Sequence, residues 1–357
     1  MSASGHGPIG TGLPADGEPF LEALRGMARG FMESRAFLTA LELDVFTGVG
    51  RGGTAAEVAQ RIGTDARGTA ALLHHLAAAG LLAKEGGIFR SIPAARRYLD
   101  RGSPECVRDG FLHSLHLWDR WSGLTGSVRN GLPAPRDGKC GPAESTETFI
   151  AAMHQNASAR APHLVHGVGT GGVRRMLDVG GGSGAYSIAF AKDNPVLRAE
   201  VLDREDVVPI AARHAAEAGV ADRVTTRVGD MCADTFGFGY DLILLSAVCH
   251  MFGPDDNADI VRRAATALAP GGRLVVHDFV LDADMAGPRP ATLFVLNMLV
   301  NTERGGNYSA EQYAAWMTAA GLVDVAHDPL PGPMSIVVGR RLQHGETRRS
   351  SPPPSAS

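Results

Sequence analysis

Several things are scarce in this sequence. Its 357 residues contain no apolar run of the ~18 residues that a membrane-crossing helix needs, so no membrane span is expected. The four cysteines, Cys106, Cys140, Cys232 and Cys249, form no C-x-x-C pair and lie in apolar or irregular stretches. That excludes a disulfide framework or a thiolate metal knuckle and fits a reduced, cytoplasmic setting. The formal net charge of -4 is too mild for a general role on nucleic acid or a membrane surface. The first residues lack a basic segment followed by an apolar one, so no secretory signal is expected. His250, Asp255 and Asp278 have no tight ligand spacing, and no metal is expected.

What is present centres on Met176 to Ala191, M-L-D-V-G-G-G-S-G-A-Y-S-I-A-F-A. Met176, Leu177 and Val179 read as a short buried strand, Gly180, Gly181, Gly182 and Gly184 as a turn, and Ala185 to Ala191 as a helix. Glycine is needed where backbone takes unusual φ or approaches a ligand closely, and the new helix points free N–H groups back at the turn. A nucleotide-like ligand is expected there. A phosphate loop would need Gly-Lys-Ser/Thr, and no lysine follows. The dinucleotide pattern G-x-G-x-x-A is formally met by Gly180, Gly182 and Ala185, so a nicotinamide cofactor remains open at this point.

Residues 1–19 and 345–357 are rich in Gly, Pro or Ser without an apolar pattern and read as disordered tails. Residues 20–104 read as a helical domain. Leu21, Leu24, Met27 and Phe31 recur at helical spacing, and Thr54 with Glu57 forms a capping-box pattern. A helix runs from Thr64-Asp65 through Leu72, Leu73 and Leu76 to Gly80. The stretch L-L-A-K-E-G-G-I-F-R-S-I then reads as a two-stranded wing turning at Gly86-Gly87. This is a winged-helix layout, but its groove-entering helix carries only Asp65, Arg67, His74 and His75. DNA binders need several Lys or Arg there, so a dimerisation module is the stronger reading and no nucleic-acid partner is expected.

Residues 105–344 form the second expected domain, opening with a helical lid segment, 105–168. Phe111, Leu115, Trp118 and Leu124 fall on one stripe, a loop spans Pro133–Pro142, and a helix over Thr148–Val168 carries Phe149 and Met153. Such aromatics and methionines serve either as core or as the lining of a substrate pocket. Trp118, Phe149 and Met153, with Asn297 and Asn301 further on, are the candidate substrate contacts.

From Val173 strands and helices alternate, which implies a parallel sheet with crossover helices. The second strand ends at Asp203, about 20 residues beyond the turn, where a carboxylate accepts two hydrogen bonds from a ribose diol. The third is expected to end at Asp230-Met231, a carboxylate and thioether suited to the amino group and face of an adenine. The fourth, Y-D-L-I-L-L-S-A-V, leads into Cys249-His250-Met251-Phe252. A helix from Pro254 is expected to end at Ala269-Pro270-Gly271-Gly272. A fifth strand, R-L-V-V-H-D-F, brings His277 and Asp278 to the same edge. Ligands in such sheets lie beyond the carboxyl ends of the strands. Adjacent strand residues face opposite ways, so if Asp278 faces the cleft, His277 points away. Two final strands form a hairpin.

D-V-G-G-G-S-G resembles the first motif of class I methyltransferases that use S-adenosylmethionine (SAM). The ordered set of this motif, Asp203, G-D-M, C-H, A-P-G-G-R and G-G-N-Y-S-A-E-Q-Y is similar to the caffeate and acetylserotonin (hydroxyindole) type of SAM-dependent O-methyltransferase, bacterial natural-product branch included. The similarity covers nearly everything between the tails. It implies an α/β fold: a Rossmann-like class I methyltransferase sheet with a C-terminal antiparallel hairpin, plus an N-terminal α-helical winged-helix domain through which a homodimer forms. It implies SAM as cofactor, held by Asp178, Gly180, Gly182, Gly184, Asp203, Asp230 and Met231, and by Ser246 at a position where the family often has lysine. His250 corresponds to the catalytic base and Asp278 to its orienting carboxylate, one methylene shorter than the family's glutamate. The family's C-H-D-W is C-H-M-F here, and a second glutamate is replaced by Asn307 or missing. The implied activity is methyl transfer to a hydroxyl of a small, aromatic or polyketide-like acceptor. Transfer to carbon or nitrogen, as in a keto acid or amine, and a non-catalytic winged-helix regulator are the other readings.

Overall fold

The protein is described from a computed structural model over residues 13–135 and 145–346. Most of both expected tails, most of the Pro133–Pro142 loop, and Cys140 lie outside the described residues. The chain divides into two compact units, Met1–Leu112 and His113–Ser357.

The first unit contains α1 (Gly17–Glu42), α2 (Val45–Val49), α3 (Ala55–Ile62), α4 (Ala66–Ala78), β1 (Leu82–Glu85), β2 (Ile88–Ser91), α5 (Pro93–Leu99) and the start of α6 (Arg108–Ser122). The helix begins inside the stretch read as tail. Asp16 accepts from the Gly17 N–H, and Pro19 sits in the first turn, where its missing N–H costs nothing. Thr54 and Glu57 close the capping box of α3. β1 and β2 pair as the expected antiparallel wing. The core of this unit gathers Leu41, Phe46, Val58, Leu73, Leu76 and Phe89. The spacing of Leu21, Leu24, Met27 and Phe31 does produce one face of α1, but that face is 40–55% exposed rather than packed within the chain.

The second unit holds the rest of α6, α7 (Leu124–Asn130) and α8 (Thr146–Val168). The stripe expected from Phe111 to Leu124 is broken. Gly123 ends α6, where a Cβ would lie 2.6 Å from that of Ala134. The sheet follows: β3 (Arg175–Val179), α9 (Ala185–Asp193), β4 (Arg198–Asp203), α10 (Val208–Glu217), β5 (Val224–Val228), β6 (Tyr240–Ser246), α11 (Pro254–Ala267), β7 (Leu268–Asp278), α12 (Arg289–Asn301), α13 (Ala310–Ala319), β8 (Val323–Pro329) and β9 (Ser335–Arg340). A one-turn helix, Cys249–Met251, precedes α11.

Seven strands run in the order β5-β4-β3-β6-β7-β9-β8. The first five are parallel, and β9 and β8 add the expected antiparallel hairpin. Strand order reverses between β3 and β6, so their carboxyl ends flank the crevice where such sheets bind ligands. Two boundaries differ from expectation. β5 ends at Val228, leaving Asp230 and Met231 in a turn held by Asp234, whose carboxylate accepts from the Asp230 N–H at 2.8 Å. α11 ends at Ala267, and Ala269–Gly272 belong to β7. Leu268 pairs with Tyr240, and the backbones of Gly271 and Gly272 exchange hydrogen bonds with Arg341. Among the described residues no helix is long and apolar enough to cross a membrane.

Candidate functional site

The glycine turn follows β3 directly. Gly180 and Gly182 adopt φ of 65° and 56°, which L side chains rarely take. A Cβ at Gly180 would also fall 2.5 Å from Met231 Cε and 2.6 Å from Val248 Cγ1, so Met231 lies against the turn. Gly184 is the N-cap of α9. The Gly182 N–H donates to Asp203 Oδ2 at 2.8 Å, and the Arg204 N–H donates to Oδ1 at 2.8 Å. The carboxylate at the end of β4 is thereby aimed at the turn. Burial raises its pKa, against the pull of those amides. Asp230 is exposed, and its Oδ1 accepts from the Cys232 N–H.

Asp178 lies beneath the turn, fully buried. Its Oδ2 accepts from the Ser187 hydroxyl at 2.8 Å, and its Oδ1 has no partner among the described residues. Burial pushes its pKa up to about 6, with the Asp203 charge adding to the effect. Ser246 is buried at the end of β6, its hydroxyl 2.9 Å from His277 Nδ1.

β6 gives way to the histidine segment at Ala247, a non-glycine residue at φ 56° whose N–H still bonds the His277 carbonyl. That left-handed residue turns the chain off the sheet. Three positions later the His250 Nδ1 stands 2.7 Å from Asp278 Oδ1. The same carboxylate accepts from the Phe279 N–H at 2.9 Å and from the His250 N–H at 3.3 Å. Asp278 is 1% exposed and His250 7%. No described residue hydrogen-bonds to His250 Nε2. The Phe294 ring stands edge-on to the imidazole at 4.8 Å and stacks on Phe279 at 4.0 Å. An imidazole with a carboxylate behind one nitrogen and the other nitrogen open has the chemistry to exchange a proton with a ligand beside it.

On α12, Phe294, Asn297 and Asn301 follow helical spacing on one stripe. Asn301 donates to Asn297 Oδ1 at 3.1 Å, and Trp121 Nε1 donates to the same oxygen at 2.9 Å. Trp118 is half-buried on α6, Met153 half-buried on α8, and Phe149 is 40% exposed and edge-on to His113. Residue reasoning singled out Trp118 and passed over Trp121, three positions on in W-D-R-W, and it passed over Phe294. Asn307, which either replaces the family's second glutamate or marks its absence, is buried. Its amide donates to the Phe279 and Ala291 carbonyls, while its Oδ1 has no partner among the described residues. Among the described residues no group of three or more His, Cys, Asp or Glu is placed to hold a metal ion.

Comparison with known proteins bears on the family. A profile described as an O-methyltransferase domain matches residues 138–323, and one described as an O-methyltransferase dimerisation domain matches residues 26–101. The chain is 31% identical to the 3-hydroxy-5-methyl-1-naphthoate 3-O-methyltransferase of Streptomyces sahachiroi, across 88% of this chain and 94% of the relative. It is 30% identical to the tetracenomycin polyketide synthesis 8-O-methyl transferase of Streptomyces glaucescens, across 87% and 94%. The solved structure of PigF with S-adenosylhomocysteine (SAH) superposes with a TM-score of 0.80 at 26% identity, covering 90% of this chain and 99% of that one. With the catalytic-domain match spanning just over half of its length, the chain belongs to the SAM-dependent O-methyltransferase family.

Proposed function

We propose that the protein methylates a hydroxyl of a small aromatic or polyketide-like secondary metabolite, with His250 as general base and Asp278 as the group that orients it. The observation that carries this reading is the 2.7 Å contact between His250 Nδ1 and Asp278 Oδ1, with Nε2 left open beside the Phe279–Phe294 stack. The relatives named for naphthoate and tetracenomycin methylation support an aromatic acceptor. Asn297, Asn301, Trp118, Phe149 and Met153 are proposed acceptor contacts.

SAM fits the residues around the turn. The side of Gly182 where a Cβ would point has only Ile150 Cδ1 nearby, at 3.8 Å, the Asp203 carboxylate stands beside it, and the Met231 thioether lies on Gly180. Asp203 is assigned to the ribose diol, Asp230 and Met231 to the adenine, and Asp178, Gly180, Gly182, Gly184 and Ser246 to the rest of the cofactor cradle. Bound there, SAM supplies an electrophilic methyl group on a sulfonium. The chain's work is to hold the acceptor oxygen in line with that methyl and to take its proton at Nε2. Asp278 keeps the other proton on Nδ1 and stabilises the imidazolium that forms. The uncovered apolar face of α1 and the dimerisation-domain match support a homodimer through the first unit.

Replacing the base tests the mechanism. His250→Gln should lower kcat by ~10²–10⁴-fold while calorimetry shows SAH binding intact. Wild-type turnover in that variant removes His250 from the chemistry.

A further inference from the structure

Another histidine reaches the glycine turn from outside the sheet. Ile150 and His154, one helical turn apart, share the face of α8 that meets the turn. Ile150 is buried with Val207 and Ile210. His154 Nδ1 lies 2.9 Å from the hydroxyl of Ser183, which is 4% exposed and is the one residue between Gly180 and Gly184 with a side chain. On the far side the His214 ring of α10 lies parallel to His154, centroids 3.9 Å apart and tilted by 6°. Two outer contacts bind the start of α8 to the same region: the Thr146 hydroxyl donates to Asp206 at 2.9 Å, and Arg213 donates to Glu147 at 2.9 Å.

This arrangement is more specific than packing requires. A side chain present only for bulk would need no polar atom at Ser183. Two stacked imidazoles also resist charge, since a cation on one is repelled by a cation on the other and stripped of water by burial. The titratable groups that act on His154 are His214 and Glu217, both on α10, while Asp206 and Arg213 are engaged by Thr146 and Glu147 at the start of α8. Burial dominates, His214 adds to it and Glu217 opposes it, and the His154 pKa is pushed down to about 4, so the ring is neutral at pH 7.

We propose that His154 is a positioning residue of the cofactor site, which fixes the Ser183 hydroxyl and clamps α8 onto the glycine turn, so that the contact sets affinity for SAM and SAH rather than the rate of methyl transfer. The inference rests on the turn being the SAM cradle.

The test uses full-length protein, SAH calorimetry and steady-state kinetics at pH 7.5. His154→Ala should weaken SAH binding and raise the KM for SAM about three- to tenfold, the value of one hydrogen bond. At saturating SAM, kcat should stay within about twofold of wild type, the pattern of a binding contact. His154→Asn, whose amide sits two bonds from Cβ as Nδ1 does, should restore most of the affinity. Ser183→Ala should weaken SAH as His154→Ala does, and the double variant should be no worse than either single one. If His154→Ala fails to fold, Ser183→Ala and His154→Asn carry the test. Unchanged SAH affinity in Ser183→Ala, additive losses, or an equal loss in kcat overturns the proposal. Asp203→Ala separates the two readings. If it abolishes SAH binding while the His154 and Ser183 variants bind normally, only the clamp fails. If none of the three changes binding, the cradle assignment fails with it.

Discussion

His250 and His277 are nearly equal in burial and both stand at the carboxyl edge of the same sheet, yet their surroundings divide them. His250 is backed by a carboxylate, Asp278 Oδ1 at 2.7 Å, and has an open Nε2 among the described residues. His277, next to Asp278 on β7, points to the other face of the sheet. There its Nδ1 meets the Ser246 hydroxyl at 2.9 Å and its ring meets Tyr186 edge-on at 5.5 Å. Burial pushes its pKa down to about 4, which Asp278 opposes and Arg160 assists. One position on β7 thus separates the carboxylate behind His250, the proposed base, from a ring that is neutral at pH 7. Their chemistry is set by the partner at Nδ1 and by the face each ring occupies.

The largest expected effect is on turnover. Asp278→Asn keeps the shape of the orienting group but removes its charge and favours the wrong imidazole tautomer. It should lower kcat by on the order of 10²-fold or more with SAH affinity retained. His277→Leu should act on the fold instead. It removes one of two partners of the buried Ser246 hydroxyl, the other being Tyr186, and should cost about 0.5–1.5 kcal/mol in urea unfolding, with kcat close to wild type per folded molecule. A larger turnover loss at His277 than at Asp278 would reverse the comparison.

Acid stability sharpens it further. With its folded pKa at about 4, below the ordinary 6.5, His277 takes up its proton in the unfolded state first. Its contribution is complete above about 6.5 and is lost as pH falls from there to about 4. The thermal midpoint should therefore drop across that window, and drop less in His277→Leu. Asp178 runs the opposite way. Its pKa is raised from 3.8 to about 6, so its contribution is present below about 3.8 and lost as pH rises through 6. The midpoint of Asp178→Asn relative to wild type should be higher at pH 7 than at pH 4, the smallest of these effects.

Short-range rules made much of this molecule legible. The capping box of α3, the wing, the glycine turn and Asp203 at the end of β4 each follow from residue types a few positions apart. The edge position of His250 and Asp278 followed from strand order. What the sequence hid depends on distant helices. Trp121 meets Asn297, and His154 meets Ser183, across long stretches of chain, and no local pattern separates Trp121 from Trp118. Boundaries moved where tertiary contacts overrode propensity. Pro270, Gly271 and Gly272 read as a helix stop but are drawn into β7 by Arg341, and Asp234 claims the turn after β5. The face of α1 shows the limit in another form: its spacing is that of a core, yet among the described residues it stays about half exposed.

Asp203 already accepts one amide on each oxygen, from Gly182 and from Arg204. A carboxylate offers about four lone-pair sites, so about two remain, one per oxygen. That vacancy matches the two hydroxyls of an unmodified sugar. On the proposed assignment a 2′- or 3′-deoxygenated analogue would leave one site unspent, and such analogues should compete poorly with SAH for reasons of counting rather than of shape.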